Sequence, residues 1–353
     1  MTFFDIIKVM KTVMKFILAL IVLVIIIVAG YIAYVYLQYH RIADDQSLPV
    51  KNARQTEQVT ANTSCKIMSF NIGYGSYPAD YTFFMDGGKE VRARSKQDVL
   101  ANLTEDNQLM TAENPDFINL QEVDYEGDRS FKVNQPDFFT KKNQDYSSVF
   151  ANNYDSAYLF YPVTQPIGKA KSGLLTLSKA KVNQARRFSL PIEKNFNKFF
   201  DLDRALSVSE ISVANGKTLY LYNVHMSAFI KDEVIQKAQL TKLFDNMKQH
   251  ADAGDYVICG GDYNHVLSGK AHPELTWMKA FPTDKLAKNM RVVAPTNAPS
   301  VRSNGTVYGD HSTLGVIDGF LVTDNIKDTS IKTVQNNFKS SDHNPVVMTF
   351  ELN

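Results

Sequence analysis

The chain has 353 residues, 44% of them apolar, and a formal charge of +1, a composition that fits a folded protein with a large core and excludes a disordered one. Residues 1–40 carry three lysines and one aspartate, so the remainder has a net charge of −1 and no global basic field to attract a long polyanion. Two cysteines, Cys65 and Cys259, exclude a disulfide-dense scaffold and a cysteine-rich zinc site, and read as buried thiols rather than a bridge.

Residues 16–37 contain no charge and consist almost entirely of Ile, Leu, Val, Ala, Phe and Tyr. At about 1.5 Å per residue, a helix of this length crosses the ~30 Å hydrocarbon layer of a bilayer. A cleaved secretory signal is the competing reading, but its apolar core runs to about 7–15 residues and ends in small side chains. Here Tyr31, Tyr34 and Tyr36 occupy the far end, where rings suit a membrane–water boundary, so one uncleaved transmembrane helix is favoured. Lys8, Lys11 and Lys15 precede the span, while Arg41, Lys51 and Arg54 beyond it are spread out and accompanied by Asp44 and Asp45. Lysines resist translocation, so residues 1–15 are expected in the cytoplasm and the bulk of the chain outside the cell membrane. Residues 38–62 are polar and read as a tether between membrane and domain.

From residue 63 to 353 short apolar runs alternate with amphipathic stretches, without internal repeat or dividing linker, which predicts one α/β domain. Strands are predicted over 65–72, 117–123, 174–177, 218–224, 256–259, 316–322 and 346–350. Helices are predicted over 95–110 and 232–249; in the second, Leu240, Leu243, Phe244 and Met247 share a face. The segment 73–89, with Tyr74, Phe83, Phe84 and Asp86-Gly87-Gly88, is a long insertion that either shapes a substrate entrance or packs as a surface loop.

Polar, metal-competent residues stand just beyond the predicted strand ends, where an α/β scaffold presents reactive groups. They are Asn71, Glu122, His225, the run Gly260-Gly261-Asp262-Tyr263-Asn264, and Ser341-Asp342-His343-Asn344-Pro345; Asp318 adds an acid inside an apolar strand. Hydrolysing a phosphoester requires neutralising the phosphate, generating a hydroxide-like nucleophile and stabilising the departing oxygen. A carboxylate-bound Mg²⁺, with Mn²⁺ a possible substitute, serves the first and last of these needs. Such hard ions take oxygen ligands, so Glu122 and Asp342, with Asn71 as a neutral oxygen donor, suffice. His225 and His343 then hydrogen bond to the phosphate or move its protons. Asp318 is expected to orient His343, and Asp262 to orient the attacking water, its preceding glycines letting backbone pass close to ligand. Asn264 is expected on the same side of an extended chain as Asp262, donating its amide to the phosphate.

The ordered set resembles the endonuclease/exonuclease/phosphatase superfamily, which includes deoxyribonuclease I, exonuclease III, inositol polyphosphate 5-phosphatases and bacterial sphingomyelinases. The resemblance covers residues 65–352 and implies a four-layer sandwich of two mixed β-sheets flanked by helices, with the site at one edge of the sheets. Motif by motif it implies that Asn71 and Glu122 are the metal-side pair, His225 the phosphate-contacting residue of a central strand, and Asp262 with Asn264 the aspartate-x-asparagine pair. Asp318 corresponds to the isoleucine-aspartate partner, and Asp342-His343 to the terminal serine-aspartate-histidine. Arg204, in Asp203-Arg204-Ala205-Leu206, resembles a phosphate-side arginine found in many members. Asp318 is followed by Gly319 instead of the usual aromatic, and Asn71 by Ile72-Gly73-Tyr74-Gly75, departures that set the chain apart from the nuclease members.

The function expected from the sequence is therefore metal-dependent hydrolysis of a phosphoester by direct attack of water on phosphorus, as a phosphodiesterase or nuclease. Lipid headgroup esters and small phosphate esters, as in sphingomyelinase-like or inositol-phosphatase-like enzymes, are the alternative substrates. A noncatalytic membrane-tethered binding module is the opposing class; it would usually have lost an ionisable position, and none is missing here. The membrane is the one other partner implied, through the N-terminal helix, and no protein partner is.

Overall fold

The structure is a computed structural model that describes residues 3–51, 58–228, 233–269 and 278–353. Helix α1 (Phe3–Gln38) takes in the whole apolar run and extends it towards the N-terminus, and of its residues Val35 alone is buried. One helix among the described residues is thus long and apolar enough to cross a bilayer.

The expected tether is partly built into the domain. Within it, β1 (Gln46–Ser47) and β2 (Val50–Lys51) pair with β-strands of two different sheets, so the short stretch 46–51 stitches the sheets together at one side. Polar composition suits both a tether and an edge strand, because each of these strands keeps one edge in water.

The first sheet runs β1, β7 (Gln184–Ser189), β8 (Ala205–Ser212), β9 (Thr218–His225), β10 (Tyr256–Asp262), β16 (Asp318–Thr323) and β13 (Met290–Val293). The second runs β17 (Ile326–Thr333), β18 (Val346–Leu352), β3 (Cys65–Asn71), β4 (Phe117–Gly127), β6 (Ala170–Ser178), β5 (Ser147–Asp155) and β2. Both are mixed: β3 and β4 are parallel, as are β9 and β10, and their other pairings are antiparallel. Two short ladders, β11 (His265–Val266) with β12 (Lys279–Ala280) and β14 (Val301–Arg302) with β15 (Leu314–Gly315), lie in the loops at the site end.

The sheets face each other across Ile67, Phe117, Val149, Leu221, Ile258, Phe320, Val346 and Phe350, all at most 1% exposed. Helix α2 (Lys96–Glu113), capped by Ser95 whose hydroxyl accepts the Asp98 N–H, and α3 (Gln135–Lys142), capped likewise by Asn134, cover the second sheet. Helix α4 (Glu233–Asp252) covers the first with the predicted face of Leu240, Leu243, Phe244 and Met247; Asp232, its expected first residue, lies outside the described residues. The order is helix, sheet, sheet, helix, the four-layer sandwich expected.

Towards the site end the layer between the sheets turns polar. The Asn119 amide donates to the Tyr222 carbonyl at 2.7 Å, and the Gln121 amide to Asn223 Oδ1 at 2.8 Å. Buried amides that pair across two sheets fix their relative register, since a slipped pair would leave both unsatisfied.

The Gly260-Gly261 pair serves this packing and not ligand approach, which corrects the sequence reading. A Cβ on Gly261 would lie 2.1 Å from the Val224 carbonyl oxygen of the neighbouring strand, and one on Gly260 would meet the Phe320 ring at 2.8 Å. Gly261→Ala is expected to destabilise the fold by about 1–3 kcal/mol or more, read as a lower urea midpoint; an unchanged midpoint would show that the strands can give way.

Candidate active site

Strand register brings the site together. In the first sheet Asp262 on β10 stands between His225 on parallel β9 and Asp318 on antiparallel β16. In the second, Asn71 ends β3 beside Gln121 on β4. A bulge follows at once: the β4–β6 register shifts between Leu120 and Val123, and Glu122 takes a left-handed φ of 54°. A bulge re-aims a side chain out of the strand's alternation, and here Glu122 turns into the pocket shared with Asp262 and His343. Tyr74 (φ 56°), Arg204 (φ 34°) and Asn264 (φ 49°) also line it in left-handed conformations. A non-glycine residue at positive φ costs of order 1 kcal/mol, and four around one pocket mark where the fold spends stability on geometry.

The pocket measures about 390 Å³ and gathers Glu122, Arg204, His225, Asp262, Asn264, Asp342 and His343. Asn71 lies beneath it and Asp318 behind His343. All nine sequence-predicted residues therefore meet at one end of the sandwich. His343 Nδ1 is 2.8 Å from Asp318 Oδ2, and its Nε2 is 3.7 Å from Asp262 Oδ2. Asp318 is held from behind by the Ser300 hydroxyl, which donates to the same oxygen at 2.7 Å. His225 Nε2 is 3.6 Å from Asp262 Oδ2 and 3.8 Å from Glu122 Oε1, while its buried Nδ1 has no partner among the described residues. Two imidazoles thus stand within 3.7 Å of one carboxylate oxygen.

Three expected roles change in detail. Asn71 accepts the Gly73 N–H on Oδ1 (3.0 Å) and donates its amide to Asp262 Oδ2 (3.1 Å), so it presents hydrogens to the acids where an oxygen ligand was expected. A flipped amide would set its NH₂ against the Gly73 N–H, which fixes this orientation. Asn264 is not extended: its backbone N–H donates to Asp262 Oδ1 at 2.9 Å and its amide to the Met226 carbonyl at 2.8 Å. Arg204 spends Nη1 on the same carbonyl and Nη2 on Asp201, both at 3.0 Å, leaving its buried Nε without a partner.

Charge explains what the site can hold. Burial and the nearby Asp342 push the Glu122 carboxyl up to about 8, against the pull of His343 and Arg129. Burial likewise raises Asp262 to about 7. Burial works against the imidazolium of His343, but Asp318 and then Asp262 outweigh it and lift the ring to about 10. His225 goes the other way, kept neutral by burial and by the cations Arg204 and His343. Three acids pressing on one another in a shared pocket are what a divalent cation would relieve, and the donors are oxygens, as Mg²⁺ and Mn²⁺ prefer. Among the described residues, Asp262, Asp318 and His343 bring metal-competent atoms within 4.8 Å of one another. The 2.8 Å bond between the last two, however, marks a charge-assisted dyad, so Glu122 and Asp342 remain the better pair for an ion.

The wall of the pocket was only partly legible. The insertion 73–89 supplies Tyr74, Tyr77, Phe83, Met85 and Asp86, which decides between its two readings in favour of the entrance. Arg129, whose guanidinium lies 3.3 Å from the Tyr74 ring centre and pairs with buried Asp124, was not foreseen, nor were Arg302 and Asn304. Asn304 donates to Asp342 Oδ2 at 3.1 Å. None stands at a predicted strand end, the one signal used to find the others. His265 is buried against the Tyr263 carbonyl and His311 is exposed, so neither joins the site.

Two mixed sheets packed face to face between helices, with acids, amides and histidines at one edge, define the deoxyribonuclease I-like sandwich, the fold of endonuclease/exonuclease/phosphatase proteins. Solved structures share it at low sequence identity. An endonuclease/exonuclease/phosphatase protein from Beutenbergia cavernae is 16% identical, with 82% of this chain and 72% of that one covered and a TM-score of 0.57. One from Bacteroides vulgatus is 15% identical over 83% and 100% of the two chains, with a TM-score of 0.55. TDP2 from Danio rerio, solved with a single-strand DNA product, is 13% identical over 82% and 100%, with a TM-score of 0.51. No protein-family profile and no curated protein matches the sequence.

Proposed function

We propose that this chain is a divalent-metal-dependent phosphoester hydrolase, a phosphodiesterase or nuclease held by α1 at a cell membrane with its catalytic domain outside. The observation that carries the reading is the placement of Asp262 within 3.7 Å of two imidazoles of opposite protonation, His225 neutral and His343 cationic. Groups whose environments drive their pKa values apart are fitted for opposite proton tasks.

The cationic His343, backed by Asp318, donates a hydrogen bond to a phosphoryl oxygen and stabilises the charge that grows there. Asp262, steadied by the Asn264 N–H and the Asn71 amide, orients a water for in-line attack and takes its proton. Neutral His225, whose Nε2 lies 3.6 Å from Asp262 and 3.8 Å from Glu122, would donate from that nitrogen to a phosphoryl oxygen. Mg²⁺ or Mn²⁺ held by Glu122 and Asp342 would offset the negative charge of the phosphoryl group and the departing oxygen. Among the described residues lining the pocket no Ser, Thr or Cys is hydrogen bonded to a histidine, which favours direct attack by water. The outward orientation rests on Lys8, Lys11 and Lys15 ahead of the span.

The Danio rerio protein solved with a DNA product makes DNA one test substrate. The experiment is a panel of DNA, RNA, sphingomyelin and inositol phosphates, assayed on the full chain with and without chelator. Hydrolysis that a chelator abolishes and Mg²⁺ or Mn²⁺ restores is expected. Chelator-resistant turnover, or none with any phosphoester, would overturn the reading.

A further inference from the structure

Helix α1 does not leave the domain through a free linker; its last two turns are docked. The Tyr31 hydroxyl donates to the Tyr158 carbonyl at 3.1 Å and accepts the Phe160 N–H at 3.2 Å, and the Tyr34 hydroxyl accepts the Tyr158 N–H at 3.2 Å. Val35 is buried with Ala157 and Phe199, and the Tyr36 and Tyr39 rings meet Phe199 edge-on at 4.7 and 5.1 Å. The two loops involved, 156–169 between β5 and β6 and 190–204 between β7 and β8, are the ones that give Leu159, Ile167, Phe200, Asp201, Leu202 and Arg204 to the pocket.

This docking fixes the height of the loops on the helix. The Phe160 ring lies against Tyr31 at 5.4 Å, seven residues before the helix ends, or about 10 Å further towards the span. Counting about 20 residues from Phe16 to cross the hydrocarbon layer reaches Val35; even if Lys15 and Lys11 snorkel and the layer starts a turn or more earlier, it reaches about Tyr31. Phe160 and its neighbours then stand at the level of the headgroups or below.

What they present there is apolar. Phe160, Tyr161 and Val163 are 55, 61 and 85% exposed, and Phe196, Phe200 and, across the mouth, Met85 are exposed as well. These six are more than half of the eleven large apolar side chains exposed outside α1 among the described residues. Lys198 sits among the Tyr36, Tyr39 and Phe199 rings at 4.9–5.8 Å, an ammonium beside aromatics at the height of lipid phosphates.

We infer that this rim is a membrane-contact surface, seated in the same leaflet that α1 enters, and that the phosphoester taken by the site is carried on a lipid. The inference rests on the phosphoesterase reading for its substrate and on the docked helix alone for its surface. A pocket with such a rim at bilayer height receives a headgroup over a short path, whereas a long polyanion would have to enter along an apolar lip.

The test uses the full chain in phospholipid nanodiscs. In Val163→Trp, shallow-labelled doxyl lipids are expected to quench emission beyond the level of the parent, whose one tryptophan is Trp277; quenching equal to the parent overturns the contact. In vesicles of phosphatidylcholine, sphingomyelin and phosphatidylinositol, Val163→Asp and, separately, Phe196→Ser are each expected to slow hydrolysis of the cleaved lipid about tenfold. Hydrolysis of soluble bis(p-nitrophenyl) phosphate should be unaffected. A parent that cleaves the soluble diester or DNA but no vesicle lipid, or variants that slow both substrates equally, overturns the lipid assignment while the phosphoesterase stands. A parent that cleaves neither overturns the phosphoesterase reading and the lipid assignment with it, and the Val163→Trp result still decides the surface.

Discussion

Asp262→Asn is expected to lower kcat by about 10²–10⁴ while the protein stays folded. The carboxylate loses its ability to take a proton, and among the described residues no other acid stands within 4 Å of both imidazoles to replace it. The fold tolerates the change because the Asp262 carboxyl is already pushed up to about 7 by burial. Removing its charge therefore relieves desolvation. An asparagine keeps one acceptor for the two donors there, the Asn264 N–H and the Asn71 amide, so the lost hydrogen bond costs about 1 kcal/mol against that relief. The measurement is single-turnover kinetics beside thermal unfolding. Turnover within tenfold of the parent would remove Asp262 from the chemistry, and a collapsed Tm would make the loss uninformative. His343→Ala then serves as the control, expected to reduce kcat comparably because it removes the cationic donor.

The second large effect is thermal. The cation-free protein is expected to lose stability as pH rises from about 6 to 9, and Mg²⁺ or Mn²⁺ to restore it. The sign follows from Glu122, held up at about 8, and Asp262, at about 7. A carboxyl whose folded pKa lies above its unfolded value contributes stability that is present below the unfolded pKa and lost as pH climbs through the folded one. His343 acts in the same direction at higher pH: raised to about 10, it contributes fully below its unfolded value and loses that contribution on the way up. A cation at a thousand times its Kd adds about 4 kcal/mol, which for a domain of this size is a Tm increase on the order of 5–10 °C. The increase should be larger near pH 8.5 than near pH 6, because protons compete for the same oxygens. Glu122→Gln is expected to remove most of the cation response and to flatten the pH slope between 6 and 9. Differential scanning calorimetry in chelator and in excess Mg²⁺ decides it, and an equal response in parent and Glu122→Gln would place the ion elsewhere.

The two effects are linked through geometry. Asn304 donates to Asp342 Oδ2 and the bulge in β4 turns Glu122 inward, while His343 is paired with Asp318 and its Nε2 lies 3.7 Å from Asp262. In the proposed mechanism the ion would take Glu122 and Asp342 while proton transfer would fall to Asp262 and His343, so the two tasks would share no ligand.

By itself the sequence determined the parts whose information is local. The charge-free run before Gln38, the apolar strands such as Cys65–Asn71 and Tyr256–Asp262, and the amphipathic face of α4 declare themselves through composition and period, since a buried strand or span must be apolar throughout its length. The positions of the ordered motifs were likewise legible, because they stand at the ends of apolar runs that mark themselves as strands. Tertiary structure alone decided the rest. Strands β7, Gln184-Ala185-Arg186-Arg187-Phe188-Ser189, and β17 carry too many polar side chains to read as strands and form because neighbours already in place offer them hydrogen bonds. Residues 46–51 became edge strands for the same reason. The contacts of Asn71, Asn264 and Gly260-Gly261 were not legible because each is fixed by partners far away in the chain: Asp262 lies 191 residues from Asn71, and Met226 lies 38 from Asn264. So too for the buried amides Gln121 and Asn223, 102 residues apart. A residue's type limits what it can donate or accept, but which partner takes the bond is settled only when two sheets close on each other and water is excluded between them.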